Sequence, residues 1–174
     1  MQVHFPGLYE RGITNAANAL AAIERIIFVK RHPYNPSHNY SDFMDGRLKG
    51  GGGVFTLEIP RTDGRLRPEA AQTKMLFDAE GGIARDVTID YDARTAWFAY
   101  MSDPQGGYGN PADGPDVPDS RRWHLYRMPV AGGKAVQVTD GPHHDYYPCV
   151  LPDGDIAFIT TRCNRRFLCW VPTS

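Results

Sequence analysis

The apolar residues of this chain fall in short runs separated by turn-forming residues. Ile26-Ile27-Phe28-Val29-Lys30 is a β-branched run of the kind a buried strand uses. Val54-Phe55-Thr56-Leu57-Glu58-Ile59 alternates between apolar and polar and is stopped by Pro60. Thr62-Asp63-Gly64-Arg65 reads as a turn and Lys74-Met75-Leu76-Phe77 as a short strand. Trp123 to Met128 alternates again, Ala131-Gly132-Gly133-Lys134 turns the chain, and Val136 to Thr139 continues as strand. A helical pattern is confined to Thr14–Ala22, where Thr14 or Asn15 can cap a short helix.

One unit of this grammar occurs twice. Asp86 to Arg94 leads through an Asp-centred turn into Thr95-Ala96-Trp97-Phe98-Ala99-Tyr100. Tyr147 to Asp155 leads through a similar turn into Ile156-Ala157-Phe158-Ile159-Thr160. The turn centres, Asp92 and Asp153, are 61 residues apart (153 − 92). Between the copies lies a Gly/Pro/Asp-rich insertion at 102–121. Without most of it the period shrinks toward the roughly 40 to 45 residues of a propeller blade. The expected fold is therefore all-β: a partial β-propeller of about two to three four-stranded antiparallel blades with a short N-terminal helix. Residues 1–24 form the expected helical extension and 25–174 the blade repeats. A blade buries its faces only against neighbouring blades. So short a series is expected to be part of a larger protein, or to need partners, either the remaining blades or another protein.

Composition sharpens this picture. Gly (18) and Pro (14) are frequent, as many short strands and turns require. The chain is 41% hydrophobic and 22% charged, which fits a folded domain rather than a disordered one. A formal net charge of −1 with scattered basic residues points away from nucleic acid. No apolar run approaches the roughly 18 to 20 residues of a membrane helix, so no membrane insertion is expected. Residues Met1 to Pro6 lack the basic-then-apolar order of a signal peptide.

Leu151-Pro152-Asp153-Gly154-Asp155-Ile156-Ala157-Phe158-Ile159-Thr160-Thr161-Arg162 resembles the TolB/WD40-like repeat, with Leu151 and Thr160 in place of serines. In the earlier copy Tyr91 stands for Pro and Ala93 for Gly. A narrower pattern is similar to the N-terminal propeller region of hydrazine synthase alpha subunit-like proteins. It comprises Ile27 to Arg31, Ser37 to Tyr40, Gly50 to Gly53, Trp123 to Tyr126, Thr139 to Asp145 and Thr161 to Cys163. That resemblance implies an extracytoplasmic location and a longer parent chain whose chemistry belongs to c-type haem domains. No CxxCH occurs here, so no haem-binding residue carries over.

The candidate chemistry is sparse. His32 and His38 flank one loop, while His143, His144 and Asp145 precede a strand. Neutral imidazoles with a carboxylate suit zinc, copper or iron, so these five are the candidate ligands of a divalent metal. The competing reading is that they hydrogen-bond loop backbone. Asn110 to Asp119 is acidic but lacks the order of a calcium loop. Gly50 to Gly53 precedes a strand rather than a helix, unlike a phosphate-binding loop, and reads as a flexible connection. No G-x-S-x-G elbow is present. Cys149, Cys163 and Cys169 include no CxxC pair; a Cys163–Cys169 disulfide or idle thiols remain alternatives. The reading that follows is a non-catalytic scaffold or binding module. Its alternative is the propeller segment of a hydrazine synthase alpha-like redox subunit.

Overall fold

The computed structural model describes residues 23, 25–33, 49–104 and 118–162. The expected N-terminal helix, His38 and the Cys163–Cys169 pair lie outside the described residues. Within them the chain is all-β. It comprises β1 (Arg25–Lys30), β2 (Gly53–Glu58), β3 (Arg61–Thr62), β4 (Arg65–Leu66), β5 (Gln72–Asp78), β6 (Ile83–Ile89), β7 (Thr95–Met101), β8 (His124–Pro129), β9 (Val136–Gln137), β10 (Asp145–Val150) and β11 (Ile156–Thr160). Two 3-10 turns, Pro68–Ala70 and Asp119–Arg121, are the helical elements among the described residues.

The strands form sheets ordered β1-β2-β5, β3-β4, β6-β7-β8-β9 and β10-β11. The chain divides into two compact units, residues 1–26 with 56–73 and residues 27–55 with 74–174. In the smaller, β3 and β4 pair antiparallel around Asp63 and Gly64, both at positive φ, as a two-residue hairpin turn requires. Arg61 donates to the Gly64 carbonyl, and Arg25 pairs with Glu58 at 2.8 Å.

The core of the larger unit explains why β7 reads as an almost unbroken apolar run: both its faces are buried. Ala96 and Phe98 join Val54, Ala79, Ala84 and Met128, against which Ile27, Val29, Leu76 and Phe77 pack. Ala99 and Met101 join Ile83, Trp123, Leu125 and Tyr146, with Ile156 against them. The β6–β9 meander is thus covered on one face by side chains from β1, β2 and β5 and on the other by side chains from β10 and β11. Each large side chain so buried contributes about 1.5–3 kcal/mol relative to exposure.

The twofold grammar of the sequence is a twofold geometry. β6 pairs with β7 and β10 with β11, and each ladder slips, between Arg85 and Thr88 and between Tyr146 and Cys149. Asp86 and Tyr147, 61 residues apart (147 − 86), hold positive φ at these bulges. In the turns, Ala93 N–H donates to Asp90 O (3.0 Å) and Gly154 N–H to Leu151 O (2.9 Å). Ala93 and Gly154 both sit at positive φ, 55° and 92°, so the alanine occupies the glycine's place. The second turn closes one residue tighter. Asp90 N–H donates to Thr95 O, whereas Leu151 N–H donates to Asp155 O. The pairs Thr88↔Trp97 and Cys149↔Ala157 carry that one-residue offset into the strands.

Gly50, Gly52 and Gly53 are tightly packed rather than slack. A Cβ on Gly52 would lie 1.9 Å from Lys30 O, and one on Gly50 would lie 1.7 Å from Gly81 O. Gly52 also holds φ 85°. The flexible connection expected from composition is replaced by backbone-to-backbone approach.

Candidate functional site

Several connections of the larger unit are tied by contacts at their described residues, 31–33 with 49–52, 79–82, 102–104 with 118–123, and 138–144 with Thr161 and Arg162. Gly51 N–H donates to Gly82 O at 2.8 Å, and the His32 ring lies beside Gly51. The feet of the 102–121 insertion are tied by Asp103 N–H to Ser120 O (2.8 Å) and by the Arg121–Asp103 pair (3.4 Å). Arg122 donates to Pro142 O at 2.8 Å. The segments 31–52 and 102–123, which join β1 to β2 and β7 to β8, have the same length.

At the polar centre of this region His144 and Asp145 are fully buried. His144 Nδ1 accepts the Trp123 N–H at 3.2 Å, which fixes the tautomer with hydrogen on Nε2. The His144 N–H donates to Thr161 Oγ1 (2.9 Å), and the Thr161 N–H returns to His144 O (3.0 Å). Asp145 donates its N–H to Trp123 O at 2.7 Å, and its Oδ1 accepts from Arg162. Arg162 also donates to Thr160 Oγ1 (3.0 Å) and Asp140 O (3.1 Å). Asp145 Oδ2 is buried and takes no hydrogen bond among the described residues. Such a carboxylate oxygen is the usual place for an internal water.

Two further groups adjoin it. Arg85 is buried, pairs with Asp86 at 2.7 Å, and faces the rings of Tyr147, Trp123 and Tyr146 at 4.9, 5.3 and 5.9 Å. Asp86 Oδ2 also accepts the Tyr147 N–H at 3.3 Å, so one bulge is tied to its counterpart. His124 is buried and meets Asp119 Oδ1 through Nε2 at 3.0 Å.

Of the five expected metal ligands, His38 is outside the described residues. His32 is exposed and His143 half-buried, while His144 and Asp145 are committed to Trp123, Thr161 and Arg162. Among the described residues, no group of three or more His, Cys, Asp or Glu side chains is placed to hold a metal ion. The sequence reading missed Arg85, Arg122, Trp123 and His124 as members of this region. The one available signal was the charged Arg121-Arg122 pair leading an apolar strand. Compared with known proteins, the chain matches no family model, no curated protein and no solved structure.

Proposed function

We propose that this chain is a non-catalytic scaffold or binding module made of β-propeller blades of the TolB/WD40-like kind, within a larger extracytoplasmic protein. The observation that supports the reading is the bulged hairpin recurring 61 residues on, in sheets that bury apolar residues against one another. Buried polar groups such as His144, Asp145 and Arg85 bond to backbone, to Arg162 and to Asp86, which is the work of holding adjacent sheets in register. Its partners are the remaining blades or another protein, seated on sheet faces that the described residues leave uncovered. Val136, Val138, Tyr147, Leu151, Phe158 and Ile159 are large apolar residues on such exposed surface.

The test is binding of an apolar-surface dye to the folded chain, with far-ultraviolet circular dichroism to verify the β fold. Dye fluorescence with a β-rich spectrum is expected. A β-rich chain that excludes the dye has no uncovered sheet faces, and the module reading then fails.

A further inference from the structure

The sequence holds five Asp-Gly pairs, and three of them lie among the described residues: Asp63-Gly64, Asp140-Gly141 and Asp153-Gly154. Asp-Gly is the pair most prone to imide formation, because glycine puts no side chain beside the attacking amide. The reaction needs a free aspartate carboxyl, a glycine N–H outside any hydrogen bond, and a backbone that can turn. The three pairs are held differently. Asp153 Oδ1 accepts the Asp155 N–H (3.1 Å), and the Gly154 N–H donates to Leu151 O (2.9 Å). Their hairpin is anchored, with Val150 buried and Ile156 against the core. The Asp140 carbonyl accepts from Arg162 (3.1 Å), the Gly141 carbonyl accepts the His143 N–H (2.8 Å), and the segment runs on into buried His144. By contrast, neither the Asp63 carboxylate nor the Gly64 N–H makes a hydrogen bond among the described residues. Both residues are exposed, and a Cβ on Gly64 would meet nothing within 4 Å. β3 and β4 pair over two residues each, and no residue from Arg61 to Ala70 is buried. A two-stranded hairpin of this size opens at little cost.

We propose that Asp63-Gly64 is a site of spontaneous aspartate isomerisation, left reactive by the fold that protects Asp140 and Asp153. The inference does not rest on the blade reading. The Gly64 amide nitrogen attacks the side-chain carboxyl carbon of Asp63. The amide proton and the carboxyl hydroxyl leave together as water, and a cyclic imide forms. Water then adds to one of the two imide carbonyls and opens the ring. Opening at the main-chain carbonyl leaves isoaspartate: the chain runs through the side chain of residue 63, with an added methylene, and the α-carboxylate is free. The mass returns to its starting value, and no oxidant or cofactor takes part. In the native turn Asp63 holds φ 51° and Gly64 φ 75°, a geometry set by the β3-β4 pairing, so ring closure follows opening of the hairpin. The lengthened backbone no longer fits a two-residue turn. The pairs Arg61↔Leu66 and Thr62↔Arg65 and the Arg61 bond to Gly64 O (3.1 Å) are lost with it.

The experiment is ageing of the intact chain at neutral pH, folded and in urea, followed by peptide mapping. Methylation by an isoaspartate-specific carboxyl methyltransferase is the probe. In urea the three pairs are expected to isomerise at comparable rates. In the folded chain Asp63 is expected to keep nearly its urea rate, while Asp140 and Asp153 fall behind it by about tenfold or more. Hydrogen exchange of the aged fraction is expected to rise in β3 and β4 and to stay unchanged in β7. Asp63→Glu, whose longer side chain closes an imide far less readily, is expected to remove the signal from that peptide alone. Folding that slows Asp63 as much as Asp153 overturns the proposal. So does a folded chain whose isoaspartate collects at Asp140 or Asp153 instead.

Discussion

His144 shows how much one side chain can hold in place. Its ring accepts the N–H of Trp123, and its backbone exchanges two hydrogen bonds with Thr161, so the residue just before β8 and the one just after β11 meet on it. Replacing the ring by leucine leaves the Trp123 N–H without that acceptor in a buried place, a loss of about 1–3 kcal/mol. Asparagine offers a side-chain oxygen near the position of Nδ1. His144→Asn is therefore expected to lose distinctly less than His144→Leu, as read from urea unfolding midpoints. Equal losses would mean that the volume of the ring, and not its lone pair, is what matters. Nothing in His143-His144-Asp145 as a string announces this role. The triplet reads as a polar loop, and its burial is set by Trp123, Thr161 and Arg162, which are distant in sequence. The residue types were legible there, and the competing expectation of hydrogen bonds to backbone fits His144, but its particular partners, Trp123 and Thr161, were not.

Among the elements, the strands were legible because each apolar run matched a strand, although β1, expected to be buried, carries only exposed and half-buried residues, as do β5, β9 and β11. The turns at Asp63-Gly64, Asp92 and Asp153 were legible because their residues favour them. The bulges at Asp86 and Tyr147 were not: aspartate adopts positive φ more readily than most residues but is common elsewhere, and tyrosine rarely does, so neither marks the position as a glycine would. The packing of β5 on the β6–β9 sheet adds a pH dependence. Phe77, Phe98, Tyr100 and Tyr126 form a ring cluster, with Tyr100 edge-on to both Phe77 (5.0 Å) and Tyr126 (5.3 Å). Burial pushes the Tyr100 phenol above its ordinary value of 10.0, and Tyr126, Glu80 and Asp78 add to it. Burial does the same for Tyr126, with Asp119 adding. The unfolded chain therefore releases these protons first. Their stabilising effect is complete below pH 10.0 and is lost as pH rises through the higher folded values. Tyr126→Phe breaks the 2.8 Å bond to Gln137 and is expected to cost about 1 kcal/mol at neutral pH. It should nevertheless flatten the alkaline decline. Unfolding midpoints from about pH 8 to about pH 11 check this, and parallel slopes for parent and variant would refute it.

For the whole molecule, the distribution of burial predicts where stability resides. Phe98 lies in the middle sheet with no exposed surface, whereas Ile159, in the last one, is 38% exposed. Phe98→Ala is expected to cost about 3–5 kcal/mol and Ile159→Ala about 1 kcal/mol. Thermal unfolding at low concentration distinguishes them. A large effect at Ile159 under those conditions would mean that its face is covered within the chain. Stacking of sheets was legible from the repeat. The division into two units was not, since the β3-β4 hairpin looks in sequence like any other turn between strands.

Gly50 to Gly53 have a consequence at the level of the gene. Every single-base change in a glycine codon that keeps an amino acid there but alters it introduces a side chain with a Cβ. At Gly50 and Gly52 that atom would fall within 2 Å of another segment's carbonyl oxygen. A stretch whose composition suggests indifference is thus a small mutational target with almost no tolerated neighbours. A lineage carrying this fold would keep it nearly unchanged while the connecting loops around it drift.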